Sequence, residues 1–127
     1  MEGQPPIVAI VEDDPSMRRS VARLLNAHGF AAEMFASAEA FLNRDPAREI
    51  ACALFDIHLE GMRGIELRSH LQASGSCVPV IFMTALDDKN LEAVAKRIGC
   101  IAYLHKPFRA DLLINAVKTA LAHPQSG

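Results

Sequence analysis

The stretch Ile7-Val8-Ala9-Ile10-Val11-Glu12-Asp13-Asp14-Pro15 governs how the rest of the chain is read. Five consecutive apolar residues, mostly β-branched and without polar alternation, describe a strand covered on both faces. The run stops abruptly at three acids. Asp14 followed by Pro15 reads as a helix N-cap with proline in the first helical position. Met17, Val21, Leu24 and Leu25 then recur at helical spacing, and Gly29 stands where a helix C-terminus needs a residue free to adopt positive φ. Residues 7–29 therefore form one strand–acid–helix unit.

The unit repeats along the chain. A second strand is expected over Ala31 to Ala36, with Ser37 capping a short helix that carries Phe41 and Leu42. Ala51 to Phe55 is a fully apolar strand ending at Asp56, and the turn Gly61-Met62-Arg63-Gly64 leads to a helix with Ile65, Leu67 and Leu71. Val78 to Met83 is the next strand, followed by a helix on Leu91, Val94, Ala95 and Ile98 that Gly99 closes. Ile101 to Leu104 is the last strand, and Leu113, Val117, Ala120 and Leu121 mark the final helix. Residues 7–122 form the core of one domain spanning 1–127, and 123–127 read as a tail or the start of a linker. Five strands alternating with five helices define an α/β protein, a doubly wound parallel sheet built from right-handed units. Ligands bind such sheets at the carboxyl ends of the strands, near the point where strand order reverses. The residues expected there are Glu12 and Asp13, Asp56, Thr84, and Lys106-Pro107.

Composition narrows the function class. A chain of 127 residues suits a single domain, and with half its residues hydrophobic and 22% charged it does not belong to the disordered class. Thirteen Lys and Arg against fifteen Asp and Glu give a net charge of −2, which offers no bulk electrostatic case for binding nucleic acid or an acidic membrane. No apolar run approaches the roughly 20 residues needed to span a bilayer, and the first residues lack the basic and apolar regions of a signal peptide. A cytoplasmic location is expected. Cys52, Cys77 and Cys100 are odd in number and include no Cys-x-x-Cys pair, which points to reduced thiols in or near the core rather than a disulfide frame or zinc site.

Three carboxylates in one cleft repel one another unless a cation sits among them. A few hard oxygen ligands, with room for water and phosphate, favour magnesium over zinc. Lys106 supplies a fixed positive charge and Thr84 a hydroxyl donor for a phosphoryl oxygen. With charge so stabilised, a carboxylate can serve as nucleophile and form an aspartyl phosphate, and Asp56 on the central apolar strand is the best placed.

The stretches Ile10-Val-Glu-Asp-Asp-Pro-Ser-Met-Arg-Arg19, Leu54-Phe-Asp-Ile-His-Leu-Glu-Gly-Met-Arg-Gly64, Met83-Thr-Ala85 and Lys106-Pro-Phe108, in this order and each after an expected strand, resemble the receiver domain of bacterial two-component response regulators. The resemblance covers essentially the whole chain. The segment Phe35-Ala-Ser-Ala-Glu-Ala-Phe-Leu42 looks most like receivers of the nitrogen-fixation regulator type, which usually carry a C-terminal helix-turn-helix output domain. The resemblance implies a flavodoxin-like (βα)5 fold with strand order 2-1-3-4-5. It implies Asp56 as phosphoacceptor, and Mg2+ held by Asp13 directly, by Glu12 through water, by Asp56 and by the backbone carbonyl of His58. Thr84 and Lys106 match the phosphate-contacting hydroxyl and lysine, and Tyr103 the aromatic switch position. A sensor histidine kinase or phosphotransfer protein would donate the phosphoryl group. The domain would be a signalling phosphoacceptor that assists its own phosphorylation and dephosphorylation, not an enzyme in the usual sense. It would control transcription through an output domain, not by binding nucleic acid itself or a membrane. Homodimerisation would use the face of the fourth helix, fifth strand and fifth helix. Three positions depart from the pattern. Glu12 replaces the commoner Asp, and its extra methylene still reaches a metal-bound water. Glu60 stands where proline is common, and Leu86 is apolar where many receivers carry a polar or small residue, beside the path of the attacking water.

Other readings of single residues are simpler. Asp14 serves as a cap; Arg18, Arg19 and Arg23 form a solvated face or a kinase contact; His58 and His105 offer side chains that are bystanders. An interaction module that kept the fold but lost the chemistry is the competing function class. A hydrolase of the haloacid dehalogenase kind would need Asp-x-Asp, where this chain has His58 in the second place, and no Gly-x-Gly-x-x-Gly follows the first strand.

Overall fold

The computed structural model describes residues 4–122. The expected tail at 123–127 lies outside the described residues. Ten elements alternate: β1 (Ile7–Val11), α1 (Pro15–Ala27), β2 (Ala31–Phe35), α2 (Ala38–Leu42), β3 (Cys52–Asp56), α3 (Gly64–Ala73), β4 (Val80–Thr84), α4 (Lys89–Ile98), β5 (Ala102–His105) and α5 (Ala110–Ala122). The strands form one parallel sheet in the order β2-β1-β3-β4-β5. This is the doubly wound arrangement that strand–helix alternation dictates, since each helical crossover returns the chain to the same sheet end.

Unbroken apolar strands need cover on both faces, and the side-chain alternation of two divides their residues between two layers. Ala9, Val11, Ala53, Phe55, Val80 and Phe82 pack on one side with Phe41 of α2, Leu67 and Leu71 of α3 and Ala95 of α4. Val8, Ile10, Cys52, Leu54, Ile81 and Met83 pack on the other with Val21 and Leu25 of α1 and Leu113 and Val117 of α5. The first layer contains a line of aromatic rings. Phe35 meets Phe41 edge-on at 5.3 Å between centroids, Phe41 meets Phe55 at 5.5 Å, and Phe55 tilts against Phe82 at 6.4 Å.

The expected caps form. Asp14 accepts from the Ser16 amide at 3.0 Å and Ser37 from Ala40 at 3.0 Å. Asp88, which the sequence reading did not single out, caps α4 by accepting from Asn90 and Leu91. Gly29 adopts φ 87° past the end of α1. The strand boundaries differ from the sequence reading by one or two residues. β3 and β4 run on to include Asp56 and Thr84, because both residues keep their ladder partners, Asp56 with Met83 and Thr84 with His105. β4 starts at Val80 and not Val78, just past Pro79, which lacks an amide to donate. β5 correspondingly spans Ala102–His105. Cys52 is buried and Cys100 half-buried, but Cys77 is exposed, a correction to the expectation that all three thiols lie in or near the core. It sits in the α3–β4 connection, before the strand begins.

Gly64 sets how closely α3 approaches the end of β3. A Cβ at this position would lie 2.5 Å from the Asp56 carbonyl oxygen and 3.0 Å from the Ile57 Cα, both backbone atoms. The Gly64 amide also donates to the Ile57 carbonyl at 3.1 Å. Gly64→Ala therefore forces the backbone on either side of Asp56 apart and should destabilise the domain by about 1–3 kcal/mol, the usual cost of overpacking. Urea unfolding of the variant against wild type measures it, and an unchanged midpoint and slope would contradict the close approach.

Candidate functional site

The strand order reverses between β1 and β3, so their carboxyl ends flank the crevice where doubly wound sheets bind ligands. Glu12 and Asp13 follow β1, Asp56 ends β3, Thr84 ends β4 and Lys106 follows β5. One carboxylate oxygen from each of Glu12, Asp13 and Asp56 lies within 4.8 Å of the others. Glu12 is 1% exposed and Asp56 6%, so two of the three acids are essentially withdrawn from water.

The charge that makes this tolerable is Lys106. Its Nζ donates to Glu12 Oε1 at 2.6 Å and to Asp56 Oδ2 at 3.0 Å. Backbone amides satisfy further oxygens: Asp14 N donates to Glu12 Oε2 at 3.2 Å, His58 N to Asp56 Oδ1 at 2.9 Å, and Glu60 N to Asp13 Oδ2 at 3.3 Å. The Lys106–Pro107 peptide is cis. The β5 end is tied to its neighbour by the Lys106 amide, which donates to the Thr84 carbonyl at 2.7 Å.

Burial pushes Glu12 up to about 7, and the hydrogen bond and negative charge of Asp56 add to this, while Lys106 and the Asp14 amide act in the opposite sense. Burial alone would lower Lys106, but its hydrogen bonds to Glu12 and Asp56 outweigh that effect and its pKa is raised. The lysine stays charged, and the buried glutamate is the group that takes up a proton near neutrality. Three hard oxygen donors with this charge excess fit a small divalent cation with affinity for carboxylates and water, and Glu12, Asp13 and Asp56 are the residues that would hold it.

Thr84 is fully buried, and its Oγ1 accepts from the Leu86 amide at 3.1 Å, which leaves its own hydrogen available to another acceptor. Leu86 itself is 53% exposed. Tyr103 pairs with Phe82, two residues before Thr84, and joins the layer under α3 and α4 rather than the carboxylate cluster. Its hydroxyl is buried without a hydrogen-bond partner among the described residues. Its ring meets His105 edge-on at 5.3 Å, and His105 Nε2 lies 3.9 Å from Asp87 Oδ1. Among the described residues, the His58 side chain is not one of the groups gathered in the carboxylate cluster, and its buried Nε2 has no hydrogen-bond partner.

Three contacts near the site escaped the sequence reading. Arg18, expected on a solvated face, is half-buried and donates from Nη1 to the Glu12 carbonyl at 2.7 Å, bracing the end of β1. The Glu60 amide reaches Asp13, and the Met62 amide reaches Glu39 Oε2 at 3.2 Å. Only the arginine carried any signal: a cation six residues past Glu12, on the helix that follows it.

The family described as the response regulator receiver domain matches residues 8–118. The transcriptional regulatory protein FixJ of Bradyrhizobium diazoefficiens is 33% identical over 114 residues, which are 90% of this chain and 56% of that protein. The crystal structure of FixJ-N superposes with a TM-score of 0.88 at 31% identity, covering 98% of this chain and 99% of that one. A response regulator receiver protein from Burkholderia phymatum gives 0.82 at 37% identity, covering 94% and 98%. The chain thus spans about half the length of curated relatives such as FixJ, and nearly all of these two solved receiver chains.

The protonated glutamate gives the cation-free protein a characteristic pH response. Glu12 holds its proton more tightly folded than unfolded, so this contribution is fully present below the ordinary value of 4.5 and is lost as pH rises through about 7. Thermal unfolding in chelator should show the melting temperature falling between pH 5 and 8, with Glu12→Gln flattening the slope. Saturating Mg2+, which binds the ionised carboxylate, should also flatten it. A wild-type slope in chelator no steeper than that of Glu12→Gln would exclude Glu12 as the source.

Proposed function

The chain belongs to the response regulator receiver domain family, the signalling module of two-component systems, and from this we propose that Asp56 accepts a phosphoryl group. The observation that carries the reading is the Lys106 ammonium bridging Glu12 at 2.6 Å and Asp56 at 3.0 Å. It supplies a fixed cation beside a buried carboxylate at the reversal point of the sheet.

In the proposed step an Asp56 carboxylate oxygen attacks the phosphorus of a phosphohistidine on a sensor histidine kinase or phosphotransfer protein. The O–P bond forms as the N–P bond breaks, and the leaving imidazole nitrogen keeps the electron pair and takes a proton from solvent. Lys106 holds position against the charge that builds on the phosphoryl oxygens. Thr84 donates its hydroxyl hydrogen to one of them. Glu12, Asp13 and Asp56, with the His58 carbonyl, would hold Mg2+, which supplies further charge neutralisation when bound. Hydrolysis follows when water attacks phosphorus and Asp56 leaves. The same groups assist it, and the Leu86 side chain narrows the approach of that water.

The added −1.5 or so of charge at Asp56 then biases two packings of the chain. Thr84 moves toward the phosphoryl group, away from the Leu86 amide, and Tyr103 turns into the space released. The face of α4, β5 and α5 changes, and a second copy of the domain or an output domain reads it. FixJ is named a transcriptional regulatory protein, and control of transcription in the cytoplasm is the outcome proposed for the protein that carries this domain. An apolar groove of about 560 Å³ beside Lys106, lined by Met17, Val21, Leu24 and Phe108, supports a partner that approaches α1 during transfer.

Incubation with Mg2+ and acetyl phosphate should add one phosphoryl group by intact mass, stable in acid and labile in base. Asp56→Asn should abolish the adduct, and Lys106→Met should slow its formation about 100-fold. Mg2+ binding without any adduct would instead establish an interaction module that has lost the chemistry.

A further inference from the structure

Asp13 is the member of the carboxylate cluster with the weakest hold. Glu12 and Asp56 share the Lys106 ammonium, but Asp13 makes no ion pair in the structure among the described residues. It is also less buried than either neighbour. The negative charge remaining on its neighbours, together with the rotamer freedom of a short exposed side chain, would turn its carboxylate toward water. One contact opposes this. The backbone amide of Glu60, 47 residues away in the loop after β3, donates to Asp13 Oδ2 at 3.3 Å. In that same conformation the oxygens of all three acids converge within 4.8 Å. A carboxylate oxygen bonded to one amide still leaves the other oxygen, with both lone pairs, free for an ion.

The amide is itself held in place. Two residues on, the Met62 amide donates to Glu39 Oε2 at 3.2 Å, so α2 anchors the loop from its far side. The intervening Gly61 has φ 78°, a left-handed conformation within the bend between the two tethers. The β3–α3 loop thus presents one amide to the cluster while a neighbouring one is fastened elsewhere. The donor at position 60 is a main-chain group. Any residue but proline supplies it, whatever its side chain.

We propose that the Glu60 backbone amide is a positioning group for the divalent-cation site: it holds the Asp13 carboxylate toward Glu12 and Asp56, so that an arriving ion meets three converged oxygens instead of two. The inference rests on reading Asp13 as a cation ligand. It makes the β3–α3 loop part of the site's affinity for the ion, with no side chain of that loop touching it.

Two substitutions separate the amide from the side chain. Glu60→Ala removes the carboxylate and keeps the N–H, whereas Glu60→Pro removes both. Mg2+ affinity, measured calorimetrically on the unphosphorylated protein, should be about three- to tenfold weaker in Glu60→Pro than in Glu60→Ala, as expected for losing one partly exposed hydrogen bond to a charged group. Equal affinities would overturn the proposal. Hydrogen exchange gives a second test that needs no proline. In cation-free Asp13→Ala, the Glu60 amide should exchange faster than in wild type while the Met62 amide, held by Glu39, keeps its rate. An unchanged Glu60 amide would overturn it as well. A wild-type chain that binds no Mg2+ at all would remove the ligand reading itself, a result distinct from tight binding that is indifferent to proline at 60.

Discussion

The ammonium of Lys106, set between Glu12 and Asp56, is the interaction on which the rest depends. Its partners lie 94 and 50 residues away in sequence, and only a parallel sheet that returns every strand to the same end brings them within 3 Å. Burying acids and a lysine together is a poor route to stability, since desolvation cancels much of the attraction. The arrangement is consistent with the proposed function, in which a divalent cation and a phosphoryl group would join the cluster. Without the ion, Glu12 titrates near neutrality and Lys106 supplies the positive charge hydrogen-bonded to both buried acids.

The apolar strands supply what such a site requires. Residues paired in the ladder immediately below it, Val11 with Phe55 and Phe55 with Phe82, are fully buried and cannot shift without opening the core. The polar groups at the rim therefore inherit fixed positions from apolar residues one step down each strand. Close packing of Gly64 against the Asp56 carbonyl extends the same rigidity to α3. Preorganisation here comes from the hydrophobic layers, and the chemistry sits where they end.

Most of this was legible in the chain itself. Unbroken runs such as Ile7–Val11 mark buried parallel strands, and the acids, threonine and lysine that follow them fall at one sheet edge by topology alone. The strand ends were less legible, because a polar residue that finishes a strand looks the same as one that begins a loop; Asp56 and Thr84 proved to be in the ladder. Backbone donors were invisible. Nothing in the letters for Glu60 or Met62 announces that their amides meet Asp13 and Glu39, since every residue except proline carries that donor. Arg18 was misread for a related reason: helical periodicity places it toward solvent, yet its long side chain reaches back to the Glu12 carbonyl.

The helices on either side of β5 are seated very differently. α5 sinks Leu113, Ile114, Ala116, Val117 and Ala120 into the core, whereas α4 commits only Ala95 fully, with Leu91 and Ile98 partly covered. Detaching α4 would uncover far less apolar surface than detaching α5, so its local opening free energy lies well below that of the domain. The shallow-rooted helix adjoins the strand that bears Tyr103, whose hydroxyl is shut away without a partner among the described residues. An unsatisfied polar atom beneath a lightly fastened helix is a small reserve of instability, which any rearrangement that wets or bonds that hydroxyl would discharge.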